Sequence, residues 1–328
     1  MKFNHLPKIE LHLHLDCSMS YDVVKKFRPN ISRDTFKKEF TAPAKCRDLA
    51  DYLTRADKQI ELMQTEEQLR AVVFDLFEQL HNDYVIYAEI RFAPLEHTKG
   101  VLNGVQVVDI VDRAFSDASE KYDIMGGIIL CTLRHYSETE SMETVKLAEK
   151  YYDRNVCGFD IAADEHFPIQ NHVAAFDYAH KMGISCTAHG GEARGAESVK
   201  EILDHFKPQR IGHGVRGYED QSVIQTILKE NIHLEICPTS NIQTDVFNEI
   251  YDHNIDQIFK KGISLSVNTD SRTITPVTLS HEYELLFAVF GWDKEHLVKC
   301  NLEAIKHAFT TTEIKKELKE RIIEGWSE

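Results

Sequence analysis

Pro7-Lys8-Ile9-Glu10-Leu11-His12-Leu13-His14-Leu15-Asp16 alternates apolar and polar side chains with a period of two, the pattern of a β-strand. Residues two apart on a strand share a face, so this reading brings the imidazoles of His12 and His14 and the carboxylate of Asp16 to one point. Three such groups on one side of a buried strand are costly to desolvate unless something compensates them. A divalent metal ion would do so. Taken alone, a His-x-His pair is more often a solvated feature of an edge strand. The rest of the chain reverses that balance.

Together with residues 9–15, apolar runs of strand length recur at 85–94, 125–133, 157–162, 184–189, 210–215, 233–237 and 264–269. Amphipathic stretches lie between them. Val223, Ile224, Ile227 and Leu228 follow helical spacing, and Pro168 stands where a first turn could open before 172–182. Repeated βα units imply a parallel sheet covered by helices, and eight of them predict an α/β fold of the (β/α)8 TIM-barrel type. Residues 17–84 are too long for a simple crossover. Their helical patterns at 46–63 and 66–81 predict a helical insertion after strand 1, on the barrel face where a lid would sit. The tail 292–326 predicts two or three extra C-terminal helices on the outside. With no linker, low-complexity segment or repeat, residues 1–328 read as a single domain.

The chain has a formal charge of −15 and is 42% hydrophobic. That composition suits a globular core and disfavours nucleic acid as a partner. No apolar run is long enough to span a membrane, and no apolar signal core precedes the first strand. A cytoplasmic location is the expectation. The seven cysteines are scattered and never spaced Cys-x-x-Cys, which argues against a disulfide framework or a thiolate zinc finger.

Polar residues collect where the predicted strands end. His12 and His14 end the first, His189 the fifth and His213 the sixth, and Asp270 ends the eighth. In such barrels that face hosts the active site. Three neutral imidazoles and a carboxylate make a first shell for Zn²⁺ with a position open to water, and Asp270 is the natural fourth ligand. In Thr187-Ala188-His189-Gly190-Gly191-Glu192 the carboxyl of Glu192 begins the following loop, close enough to the metal to shuttle a proton without binding it. The run Gly212-His213-Gly214-Val215-Arg216-Gly217 also fits the Gly-x-Gly-x-x-Gly of dinucleotide sites, with Glu235 at a suitable distance. Its place in the sixth βα unit, and a histidine in the first variable position, favour a catalytic side chain instead. The fourth strand offers acids but no lysine to bridge a second metal, so one ion per chain is expected. Walker, Gly-x-Ser-x-Gly and cytidine-type deaminase signatures are absent.

These motifs resemble, in order, those of the adenosine deaminase family of metal-dependent amidohydrolases. The segments carrying the resemblance are 6–16, Gly158-Phe159-Asp160-Ile161-Ala162, 187–192, 210–214, Cys237-Pro238-Thr239-Ser240-Asn241 and Asn268-Thr269-Asp270. The resemblance implies Zn²⁺ on His12, His14, His189 and Asp270, and hydroxide attack at C6 of a purine nucleoside. It implies that His213 and Asp270 orient that hydroxide while Glu192 protonates ring N1. Asp16 would bind a sugar hydroxyl, alongside His14, and a backbone N–H near Ala163 would face ring N3. Cys17 and Ala163 stand where the family commonly has glycine. Ser271 replaces a second aspartate that usually meets purine N7, so recognition there is expected to differ. The lid stretch 49–60 is unusually polar, with Ala56 and Asp57 where large apolar groups often cover the sugar.

Deamination of adenosine and 2′-deoxyadenosine to inosine and 2′-deoxyinosine is the expected activity. Adenine or a modified adenosine (methylthioadenosine, aminofutalosine) is the alternative substrate. A metal-dependent phosphoesterase is the alternative from another class, and it would gather ligands for two or three ions.

Overall fold

The computed structural model describes residues 2–327. Eight strands form: β1 Lys8–His14, β2 Val85–Phe92, β3 Met125–Leu133, β4 Val156–Ala162, β5 Thr187–Gly190, β6 Arg210–His213, β7 His233–Ile236 and β8 Leu265–Val267. All neighbours are parallel, in the orders β1-β2-β3-β4 and β5-β6-β7-β8. Parallel bridges cross both seams, Leu13 to Asp270 and Phe159 to Cys186. There His14 N–H donates to the Asp270 carbonyl at 2.7 Å, and Phe159 N–H to that of Ser185 at 2.9 Å. The sheet closes on itself, and helices surround it.

All eight anticipated strands are present, but β5 to β8 are shorter than the apolar runs suggest. The cause is local backbone conformation. For β6 this is direct: His213 and Gly214 have φ of +60° and +70°, outside the β region, so its ladder stops there. Gly191 and Asp270, at +69° and +66°, turn the chain into the barrel mouth beyond β5 and β8.

Between β1 and β2 lie helices Tyr21–Phe27, Arg33–Phe40, Leu49–Leu53, Ala56–Ile60 and Glu66–Asn82. Ser20, Ser32, Asp48 and Thr65 each begin one by accepting a backbone N–H three residues on. The pattern at 46–63 predicts one helix; the structure divides it in two. Asp48 caps only the first piece, and the Thr54 hydroxyl donates to the Asp51 carbonyl at 2.7 Å, drawing the backbone from regular helix. Helix Glu66–Asn82 packs into the outer ring, Phe77 edge-on to Phe115 at 5.1 Å. After Pro168, a short 3-10 turn at Gln170–His172 precedes helix Val173–Lys181, so the proline stands ahead of the helix rather than in its first turn.

The tail forms two helices, Lys294–His307 and Thr312–Ser327. Asn301 Oδ1 accepts Ile9 N–H at 2.8 Å. Trp326 stacks on Phe3 and donates its indole N–H to the Pro7 carbonyl at 2.8 Å, closing the barrel floor below β1. All seven cysteines are unpaired. Among the described residues no helix is long and apolar enough to cross a membrane.

Candidate metal and catalytic site

His12, His14, His189 and Asp270 come together at the C-terminal mouth of the barrel, each offering one ligand atom within 4.8 Å of the others. His14 Nε2 lies 3.1 Å from His189 Nε2. Asp270 Oδ1 lies 3.4 Å from His12 Nε2 and 3.6 Å from His14 Nε2. Donors about 2.0–2.1 Å from a tetrahedral ion stand roughly 3.4 Å apart, which matches these spacings. The buried His12 Nε2 has no hydrogen-bond partner. Burial pushes the His14 imidazole down to about 3, so it is neutral. Burial opposes ionisation of Asp270, but His12, His213 and His14 hold its carboxyl well below the usual range. Three imidazoles beside one carboxylate form a fitting donor set for a divalent ion.

Buried acids aim these side chains. Glu235 Oε2 accepts from His12 Nδ1 at 2.8 Å, and Asp160 Oδ2 is 3.1 Å from His189 Nδ1. Both imidazoles therefore turn Nε2 to the common centre. The Ser240 hydroxyl donates to Asp270 Oδ2 at 2.6 Å, leaving Oδ1 facing the same centre. Arg91 bridges the two acids, 2.8 Å from Asp160 and 2.7 Å from Glu235. Arg210 joins Glu235 to Glu89, both contacts at 2.6 Å. All three carboxylates are fully buried and paired with a guanidinium. The Gly-x-Gly-x-x-Gly run has another purpose here: a Cβ on Gly212 would lie 2.8 Å from the His12 ring, so its first glycine makes room for the imidazoles.

Glu192 and His213 face the same opening, His213 Nε2 being 3.4 Å from Glu192 Oε2. Glu192 Oε1 is buried without a partner. Burial first, then the nearby Asp270 and Glu165 charges, push its carboxyl well above the usual range. That shift favours the protonated form, the form a proton donor needs. Glu165 anchors its loop, accepting the backbone N–H groups of Glu192, Ala193 and Arg194 at 2.9, 3.2 and 2.9 Å. Two other triads, Glu192-His213-Asp270 and His12-His213-Cys237, overlap this centre. Burial pushes the Cys237 thiol well up, which makes it a poor ligand.

Asp16 lies past the end of β1, in the 3-10 turn Leu15–Cys17. It accepts Ala93 N–H at 3.2 Å, and its other oxygen is 3.9 Å from His14 Nδ1. It therefore stands outward of the imidazole cluster rather than at its centre. Ala163 has φ +78°, a left-handed conformation costing a non-glycine residue about 1 kcal/mol, which a glycine would avoid. The Ser271 hydroxyl donates to the Cys17 carbonyl at 2.7 Å and accepts Ile274 N–H at 2.9 Å. A cavity of about 340 Å³ opens outward from His14 and Asp16, lined also by Leu53, Ala56, Asp57, Glu96, His135 and Asp164.

Of the residues singled out in the sequence, His14, Asp16, Ala163, His189, Glu192, His213, Asp270 and Ser271 line this mouth, with His12 buried behind them. Glu235, Arg91, Ser240 and Glu165 were not singled out for these roles, nor was Asp160 as the partner of His189. A signal existed for three of them: Arg91, Asp160 and Glu235 interrupt apolar strand runs, and a charge buried in a strand needs a partner.

The sequence model described as adenosine deaminase matches residues 7–325. A Clostridium acetobutylicum protein named adenosine deaminase is 34% identical over 326 residues, 97% of each chain. Among solved structures, an adenine deaminase from Arthrobacter aurescens superposes with a TM-score of 0.90 at 22% identity, covering 98% of this chain and 100% of the other. An amidohydrolase from Burkholderia ambifaria with bound Zn also gives 0.90, at 20% identity, over 99% of this chain and 92% of that one.

Proposed function

The chain belongs to the adenosine deaminase family, and from that we propose that it hydrolyses the 6-amino group of adenosine and 2′-deoxyadenosine, releasing inosine or 2′-deoxyinosine and ammonia. The observation that carries this reading is the four-atom cluster of His12, His14, His189 and Asp270, with the buried Glu192 carboxyl and His213 3.4 Å apart beside it. Those four residues would hold one Zn²⁺ per chain, which lowers the pKa of a bound water towards ~7.

Around it the side chains have distinct tasks. Glu192 donates its proton to ring N1, making C6 electron-poor. His213 and the Asp270 carboxylate orient the attacking oxygen and stabilise the charge that develops as the ring accepts it. Asp16, beside His14, binds a sugar hydroxyl, and the Ala163 backbone N–H faces ring N3. Ser271 walls the N7 side but gives N7 no proton, since its hydroxyl hydrogen is engaged by the Cys17 carbonyl. Residues 17–84 form a helical lid insertion in a single domain 1–328, with Leu53, Ala56 and Asp57 over the sugar. A cytoplasmic location fits seven unpaired cysteines.

The cavity favours a nucleoside over a nucleotide. Asp16, Asp57, Glu96 and Asp164 line it, with His135 but neither lysine nor arginine. A 5′-phosphate there would meet like charge at a cost of several kcal/mol. Ammonia release by zinc-loaded protein from adenosine, deoxyadenosine, adenine, methylthioadenosine, aminofutalosine and AMP tests the assignment. Adenosine and deoxyadenosine are expected to give the highest kcat/KM, and AMP a value at least about a hundredfold lower. Ammonia from none of them, or a preference for AMP, would contradict the reading.

A further inference from the structure

Behind His213 runs a chain of buried hydrogen bonds that begins at a backbone amide. Ile255 N–H donates to His253 Nδ1 at 3.0 Å. His253 Nε2 lies 3.3 Å from Asn241 Oδ1, and Asn241 Nδ2 lies 3.0 Å from His213 Nδ1. All three side chains are buried, with exposures of 2%, 0% and 1% for His253, Asn241 and His213.

The directions follow from one end to the other. A backbone N–H can only donate, so His253 Nδ1 is an acceptor. Neutral His253 must then carry its hydrogen on Nε2; burial, pushing its pKa down to about 3, keeps it neutral. That hydrogen selects the oxygen of Asn241, which fixes the amide orientation and turns Nδ2–H towards His213 Nδ1. Flipping the amide would set two donors face to face. With Nδ1 accepting, neutral His213 carries its hydrogen on Nε2, 3.4 Å from Glu192 and facing the reaction cavity.

We propose that Asn241 and His253 are positioning residues that lock His213 in its Nε2–H tautomer, so that His213 acts on the reacting oxygen as a hydrogen-bond donor and not as a base. This rests on the deaminase reading for its catalytic consequence, but the tautomer itself is independent of any substrate.

The test combines a spectrum with kinetics on zinc-loaded, full-length protein. Long-range ¹H–¹⁵N correlation with ¹⁵N-histidine labelling is expected to show His213 protonated at Nε2 and bare at Nδ1. In Asn241→Asp, a nearly isosteric carboxylate presents an acceptor to His213 Nδ1, so the hydrogen moves to Nδ1. There kcat on adenosine is expected to fall by about a hundredfold while KM stays within about threefold. His253→Gln keeps a donor towards Asn241 Oδ1, and is expected to retain both the tautomer and kcat within about fivefold. Protonation of His213 at Nδ1 in the unaltered protein overturns the proposal, as does Asn241→Asp with unchanged tautomer and kcat. If adenosine is not turned over at all, the functional reading fails, and the unaltered protein's spectrum still decides the tautomer.

Discussion

Glu192→Gln is expected to load one divalent ion per chain, the number expected of the unaltered protein, and to lose about a hundredfold to ten-thousandfold in kcat on adenosine. The substitution is nearly isosteric. An amide can donate a hydrogen bond to ring N1 but cannot transfer a proton to it, so binding survives while the step that activates C6 does not. Glu192 is no ligand in the shell formed by His12, His14, His189 and Asp270, and metal content should not change. Its loop is held by Glu165 through backbone N–H groups, which the substitution leaves alone. Metal analysis beside kcat and KM decides the matter. Unaltered turnover would remove Glu192 from the chemistry.

Glu235→Gln should damage the protein from below. One Glu235 oxygen accepts from His12 Nδ1 at 2.8 Å and from Arg91 at 2.7 Å; the other meets Arg210 at 2.6 Å and the Thr187 hydroxyl at 3.0 Å. Burial opposes its charge, but Arg91 and Arg210 hold the carboxyl well below the usual range, so it is ionised throughout the neutral region. Removing that charge leaves two fully buried guanidiniums undercompensated, which typically costs about 3–5 kcal/mol. It also loosens the His12 ring, and losing such an outer partner typically lowers metal affinity about 10- to 100-fold. Denaturant unfolding and competition with a chelator measure the two effects separately. A Glu235→Gln protein with unchanged stability and affinity would show that the buried acids do not support the metal shell.

The barrel and the gathering of His12, His14, His189 and Asp270 were legible because both follow from patterns a linear sequence carries. Alternation around Leu11, Leu13 and Leu15 marks β1, and repeated βα units imply closure. Histidines and acids at strand ends then fall on one face. The end of β6 was less legible, since His213 adopts positive φ, which residue type does not announce. The two-piece lid turns on a Thr54 hydroxyl competing for a backbone carbonyl, a choice made locally in three dimensions. Glu235 was the least legible. Its distance from the glycine run suggested a nucleotide motif, whereas its partners Arg91, His12 and Arg210 lie on three other strands and meet it only in the closed barrel.

The deamination proposed for this chain depends on a single ion held by His12, His14, His189 and Asp270. The most direct test is to strip the protein with a chelator, return Zn²⁺ in measured steps, and follow conversion of adenosine at each step. Turnover should be absent from the stripped protein, rise in proportion to added zinc and level off at one equivalent per chain. Turnover by the stripped protein, or a plateau reached only at two equivalents, would contradict the account.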